Sequence, residues 1–238
     1  MKFNGYSLGD VPVLHYDALP STNTLAKELF LRGEQTFCVV RADTQSAGRG
    51  RLGRSFFSQS GVFMSLLLTP SRFSVPAELL TSAAASAVCR VVREAGYDAS
   101  IKWVNDIFVS GKKVCGILTE AITAERVGYI IGIGINIGEA DFPEELCDIA
   151  GTLAHSEKDA LFARLVPALL DALNVPPEAI LRDCAAYSCV IGKRVRFFGA
   201  AEGEGVAKGL APDGGLLVRT DDGALRHLIS GEISLRTI

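Results

Sequence analysis

Residues 44–55 read Thr-Gln-Ser-Ala-Gly-Arg-Gly-Arg-Leu-Gly-Arg-Ser. Arg49, Arg51 and Arg54 crowd into this stretch with no acid among them, on a backbone made pliable by Gly48, Gly50 and Gly53. Guanidinium forks match phosphate and carboxylate oxygens, and glycine amides add donors at close range. Such a loop suits an anion or a nucleotide. The plainer alternative is a solvated basic loop, or a patch that meets nucleic acid phosphates. The stretch also satisfies G-x-G-x-x-G and nearly satisfies the P-loop pattern, with Arg54 in place of lysine. Both motifs need a helix to open at once, and the dinucleotide fingerprint needs an acid about twenty residues on. Ser-Phe-Phe-Ser-Gln-Ser-Gly and an apolar strand follow instead, with Thr69-Pro70-Ser71 near the acid's place. Neither motif is expected to operate.

A second group is Lys102-Trp103-Val104-Asn105-Asp106, followed by Gly111-Lys112-Lys113 and Cys115-Gly116-Ile117-Leu118. Asn-Asp inside an apolar strand is costly unless both side chains find partners. Read as continuous strand, alternation sets Lys102, Val104 and Asp106 on one face and Trp103 and Asn105 on the other. Lys102 and Asp106 would then share a site, with Lys113 returning along the paired strand. The alternative is a water-exposed edge pair with Trp103 plugging the core. A third feature, Gly132-Ile133-Gly134-Ile135-Asn136-Ile137-Gly138, has Asn136 as its one polar side chain. Small residues where a strand packs closely would explain it equally well.

The elements that must hold these groups follow from periodicity. Residues 13–19 alternate as a strand. Residues 21–33 read as a helix capped by Ser21 or Thr22 and stopped by Gly33. Residues 36–44 and 62–70 are buried strands. Pro76 opens an Ala/Val-rich helix closed by Gly96, with a wide apolar stripe for a sheet face. Residues 101–121 give two strands joined at Ser110-Gly111-Lys112, and 126–138 one more. Helices are expected at 157–174, bent or broken at Pro167, and at 177–187. Beyond about Val190, short strands separated by Gly and Asp turns indicate a small β-barrel or sandwich. The fold class is α+β, a mixed or antiparallel sheet backed by helices, with an all-β C-terminal unit.

The 238 residues allow one large domain or one with a small companion. With 48% hydrophobic and 21% charged residues, the chain can bury a core and has the balance of a soluble protein. Its 24 basic and 27 acidic residues give a net charge of −3, which argues against a surface built wholly for nucleic acid. The apolar run 129–137 is too short to span a bilayer, and MKFNGYSLGD lacks the apolar core of a signal peptide. A cytoplasmic protein is expected, without membrane contact. The six cysteines form no C-x-x-C, and His15, His155 and His227 never fall at metal-ligand spacing. Most of the cysteines should be core residues, and no protein-built metal cage is expected.

Taken together, STNTLAKEL, TQSAGRGRLGR, KWVND, GKKVCGILTE and GIGIN, in this order, resemble the biotin–protein ligases. Each motif alone is weak; five in register are specific. The resemblance runs from about Ser21 to the C-terminal GEISLR. It implies a class II synthetase-like ligase domain over 1–188, a mixed sheet with helices on one side, and an SH3-like barrel over 189–238. It implies that biotin and MgATP give biotinyl-adenylate and pyrophosphate, after which biotin passes to a lysine of a biotin carboxyl carrier protein. Ser21, Thr22 and Asn23 would flank the ureido ring with Gln45 beside it. Arg49, Gly50 and Arg51 would belong to a loop that orders over biotin and the adenylate phosphate. Lys113 would meet the biotin carboxylate, and Gly116 and Gly132 would let the backbone approach the ligand. Asp106 would position the acceptor lysine. Arg49, Arg51, Arg54, Phe56, Lys102, Trp103 and Asn105 would serve the nucleotide, with Asn136 near the triphosphate or Mg2+.

Two positions depart from the resemblance: Val104 stands where the family usually has proline, and Phe56 or Phe57 where it commonly has tryptophan. The rival readings are a lipoate–protein ligase of the same superfamily, which would need a long apolar tunnel, and a non-catalytic adenylate-binding module. A biotin-sensing repressor is not expected, because the first helix starts only twenty residues in. The family includes both monomers and homodimers.

Overall fold

The computed structural model describes residues 3–199 and 202–235. Its larger sheet has eight strands. Phe3–Leu8 (β1) and Val11–Leu19 (β2) form an N-terminal hairpin. Thr22–Leu31 (α1) then crosses over to Cys38–Gln45 (β3), which runs parallel to β2. Gly61–Leu68 (β4) follows, and after Leu80–Glu94 (α2) come Ala99–Lys102 (β5), Asp106–Val109 (β6), Lys112–Thr123 (β7) and Val127–Asn136 (β8). The spatial order is β1-β2-β3-β4-β8-β7-β6-β5. Every pairing except β2–β3 is antiparallel. That single parallel pair requires a crossover, and α1 is that crossover.

Strand alternation sorts the two faces. Val62, Met64, Leu66 and Leu68 of β4 join Ile131, Ile133 and Ile135 of β8 beneath α2, Lys158–Ala172 (α3) and Pro177–Ala186 (α4). On the other face Leu67 and Ile130 pack with Ala26, Leu29 and Phe30 of α1. Helices therefore cover both faces, not one side as expected. Covered on both, β4 is buried along its whole length, which is why it reads as unbroken apolar sequence. The Pro76 turn leads into α2 through a short 3-10 turn, so the α-helix proper begins at Leu80. Pro167 does not break α3. Ser21 occupies the position before α1, but its side chain caps nothing.

A second sheet is built from Arg194–Phe198 (β9), Gly203–Leu210 (β10), Leu216–Thr220 (β11), Leu225–Leu228 (β12) and Glu232–Leu235 (β13). All its pairings are antiparallel, in the order β12-β11-β10-β9-β13. Among the described residues β12 and β13 are the two edges of this small antiparallel unit, which agrees with the SH3-like C-terminal β unit expected. Its core takes in Trp103, which joins Val195, Phe197, Leu216 and Val218.

The stretch 101–121 holds three strands, not two. Ser110 and Gly111, both at positive φ, make the expected two-residue turn between β6 and β7. A further turn at Trp103-Val104-Asn105 separates β5 from β6. The Asn-Asp pair marks a strand end, where its polar atoms find partners more easily than mid-strand.

Candidate active site

A cavity of about 230 Å³ opens on the α1 face of the larger sheet, over β7 and β8. It exists because β7 and β8 present glycine there. Gly132 and Gly134 share that face, and a Cβ on either would collide with Asn23 Oδ1 (2.0 Å) or Phe56 Cε1 (2.5 Å). Isoleucines at 131, 133 and 135 point the opposite way, into the main core. One strand thus supplies core on one side and a floor on the other. The room above Gly132 is taken by the Asn23 amide, so that glycine makes way for a side chain.

At one end of the cavity a polar network is assembled by the start of α1. The Thr22 backbone N–H and hydroxyl both donate to Gln45 Oε1, at 2.7 and 3.1 Å. Ser65 Oγ lies 2.6 Å from Asn23 Oδ1 and 2.8 Å from Thr22 Oγ1. Asn23 Nδ2 donates to the Leu118 carbonyl (3.3 Å) and to Glu120 Oε2 (2.8 Å). Ser21, Thr22, Asn23 and Ser65 are all buried, so their hydrogen bonds are made away from bulk water.

The arginine loop is a small hairpin. Gly50 N–H donates to Arg54 O and Phe56 N–H to Gly48 O, with a 3-10 turn over Arg51–Gly53 at its tip. A Cβ at Gly48 would meet Phe56 O at 2.6 Å, and Gly53 sits at φ +75°. No α-helix opens here, so the glycine motifs are indeed inoperative. The Phe56 ring folds down onto Gly116 and Gly134 as an apolar plate. Arg49 Nη2 reaches Glu120 Oε1 at 2.9 Å, and Arg51 Nη1 donates to Asn105 Oδ1 at 3.1 Å.

Lys113 enters the cavity by a bulge. Asp106 pairs with Gly116 and Ile107 with Cys115, but Phe108 pairs with Lys113, so Val114 is the extra residue. Val114 and Cys115 both drop into the core. The alternation of β7 is thereby reset, and Lys113 lies over Gly116, its Nζ 2.6 Å from Asp106 Oδ1. Lys102 pairs directly with Asp106 across β5 and β6, and its Nζ stands 5.3 Å from the Phe108 ring centroid. Asn105 is fixed by Nδ2 donating to Ile117 O at 2.9 Å.

The lining carries five cations, Arg49, Arg51, Arg54, Lys102 and Lys113, against one carboxylate, Asp106. A cleft so charged concentrates anions even in a chain that is acidic overall. Every residue singled out from the sequence lines this cavity except Asn136. Asn136 is buried at the end of β8, where its Nδ2 donates to Gly151 O and its Oδ1 has no hydrogen-bond partner. Trp103 borders the cavity, but its indole is planted in the second sheet's core and its N–H donates to Gly214 O at 3.0 Å.

Four contributors were not anticipated. Ser65 had a signal, a lone polar residue in the apolar run 62–68, which must be partnered when buried. Glu120 had one too, since it alternates in step with Gly116 and Leu118. Gly231 and Ile233, from the second sheet, had none. Among the described residues no cluster of His, Cys, Asp and Glu could hold a metal. Nor is any helix long and apolar enough to cross a membrane. Burial pushes the thiols of Cys38, Cys89 and Cys184 up to about 12, as befits core cysteines.

The model of the biotin/lipoate A/B protein ligase family matches residues 16–136, a span that contains every one of the sequence-derived site residues. The chain belongs to that family. Residues 190–236 match the biotin protein ligase C-terminal domain. Among curated members of the family, the bifunctional ligase/repressor BirA of Bacillus subtilis is 36% identical over 94% of this chain and 74% of its own length. The biotin–[acetyl-CoA-carboxylase] ligase of Paracoccus denitrificans is 29% identical over 84% of this chain and 90% of its own. A solved biotin protein ligase from Aquifex aeolicus, in complex with biotin and ATP, superposes with a TM-score of 0.79 at 28% identity. It covers 94% of this chain and 98% of that one.

Proposed function

We propose that this protein is a biotin–protein ligase that activates biotin with ATP and transfers it to a lysine of a biotin carboxyl carrier protein. One observation carries the reading: a single cavity joins a buried hydroxyl-and-amide network at one end to a cluster of cations at the other. That polarity suits a neutral ureido ring at the first end and two anions at the second. A lipoate ligase would need an apolar tunnel where Thr22, Asn23, Gln45 and Ser65 stand. The family match and the biotin-and-ATP complex of the Aquifex relative support the same choice.

In the first step a biotin carboxylate oxygen attacks the α-phosphorus and pyrophosphate leaves. Two anions must meet, and we assign Arg51 and Lys113 to neutralise them, with Lys102 and Arg54 on the nucleotide side. Arg49, Gly50 and Arg51 form the cover, and Phe56 offers the adenine a flat apolar face. Mg2+ arrives with the triphosphate. Asn136, buried outside the cavity lining, is not placed to meet that ion. In the second step the carrier amine attacks the acyl carbon, AMP leaves, and Asp106 orients the amine and accepts its proton. Trp103 we reassign from nucleotide contact to holding the Lys102–Asp106 turn. We place the ligase domain at 1–188 and the C-terminal unit at 189–238, and the setting as cytoplasmic, with neither nucleic acid nor membrane as a partner.

The decisive experiment incubates the protein with ATP, labelled biotin and a carrier domain. Labelled carrier and AMP are expected. No adenylate and no labelled carrier would overturn the proposal.

A further inference from the structure

Glu120 lies outside the cavity lining, yet both its carboxylate oxygens are engaged by residues within it. Oε1 accepts from Arg49 Nη2 at 2.9 Å, and Oε2 accepts from Asn23 Nδ2 at 2.8 Å. Arg49 belongs to the hairpin over the cavity, and Asn23 to the polar network beneath it. One side chain therefore spans from roof to floor. A carboxylate only accepts hydrogen bonds, whereas an asparagine amide can sit either way round. Glu120 settles the matter: Asn23 must turn Nδ2 toward β7, which leaves Oδ1 2.6 Å from Ser65 Oγ. The same carboxylate offsets the charge of Arg49, while Arg51 donates to the neutral Asn105 and keeps its charge for an incoming anion.

We propose that Glu120 is a positioning residue that latches the arginine hairpin to the Asn23 end of the cavity, so that the roof and the polar network are set together. What the roof covers rests on the ligase reading; the latch itself does not.

The test is a double-mutant cycle of Glu120→Gln, Arg49→Met and the pair, read in two ways. The first readout is the rate of tryptic cleavage within 48–56 in unliganded protein, at the remaining arginines of the hairpin. Each single variant should raise it about threefold to fivefold, as befits a half-exposed ion pair, and the double variant no further. The second is biotin-dependent ATP–pyrophosphate exchange. Glu120→Gln should raise the KM for biotin by a similar factor while kcat stays within about twofold. Additive effects on cleavage, or a loss confined to kcat, would overturn the latch. Non-additive cleavage across the cycle, with no exchange by the wild-type protein, would refute the ligase reading and leave the latch standing.

Discussion

Lys113 Nζ lies 2.6 Å from Asp106 Oδ1, an ion pair across β6 and β7 that owes its place to the bulge at Val114. On the assignment proposed above, the pair sets a cation for the activation step beside a carboxylate for the transfer step. Lys113→Ala should lower adenylate formation by about a hundredfold or more, the scale for removing a fixed charge from a developing anion. The side chain is 35% exposed, so the melting temperature should barely move. Pyrophosphate release and a thermal melt check both. Unchanged turnover would remove Lys113 from its role.

Arg51 is the hairpin residue that reaches across the cavity, to Asn105. Arg51→Ala should let the adenylate escape before transfer. Labelling of bystander lysines on an unrelated protein should then rise about tenfold or more, on the scale of about 1.4 kcal/mol of lost retention. Mass spectrometry of that protein is the measurement, and labelling at the wild-type level counts against the assignment.

Gly132 stands where a side chain would strike Asn23 Oδ1 at 2.0 Å. Gly132→Ala should displace Asn23 and raise the KM for biotin about tenfold, since small misplacements of positioning groups are costly. The KM for ATP should follow much less. An equal rise in both would point to general disruption instead.

Trp103 fills the second sheet's core and spends its N–H on Gly214 O. Truncation to Ala should cost about 3–5 kcal/mol, and Trp103→Phe, which keeps most of the packing, about 1–2 kcal/mol. Urea unfolding separates the two. Equal costs would mean that the hydrogen bond, lost in both variants, outweighs the packing.

A buried arginine couples the stability of the fold to acid. Arg41 is buried, lies 4.4 Å from the Phe162 ring centroid and pairs with Asp159. The Arg41 hydrogen bond holds the Asp159 carboxyl below the usual carboxylate range. A folded-state pKa so depressed contributes stability that is complete above the unfolded value, about 3.9, and fades as pH falls through the folded one. Wild-type protein should melt above Asp159→Asn at pH 6, and the gap should close as the pH falls below about 4. A gap independent of pH would exclude this coupling.

Much of the site was legible because its chemistry is dense in sequence. Three arginines on a glycine backbone and a lysine hairpin pointed to a cationic pocket, and the structure gathers them in one cavity; the missing helix set the two glycine motifs aside. The fold was legible where periodicity was clean, as in β4 and α2. It was less so where a local irregularity resets the count. Alternation through 102–106 misassigned Trp103 and Asn105 because a turn interrupts the strand. The Val114 bulge leaves no compositional trace. β1 was missed because its sequence, FNGYSL, is short and mostly exposed. Gly231 and Ile233 are placed by contacts some hundred residues long in sequence, and no local signal reports such contacts.

Those last two residues bear on when the protein can first work during its own synthesis. A chain emerging from the ribosome as far as Asn136 already holds every cationic and amide group of the cavity. It lacks the sheet that seats Trp103 and the strand that brings Ile233 to the wall. The strand that carries Ile233 is the final one of the described chain, so this part of the cavity wall is the last to be made. Until residue 233 has been made, the cavity lacks that part of its wall.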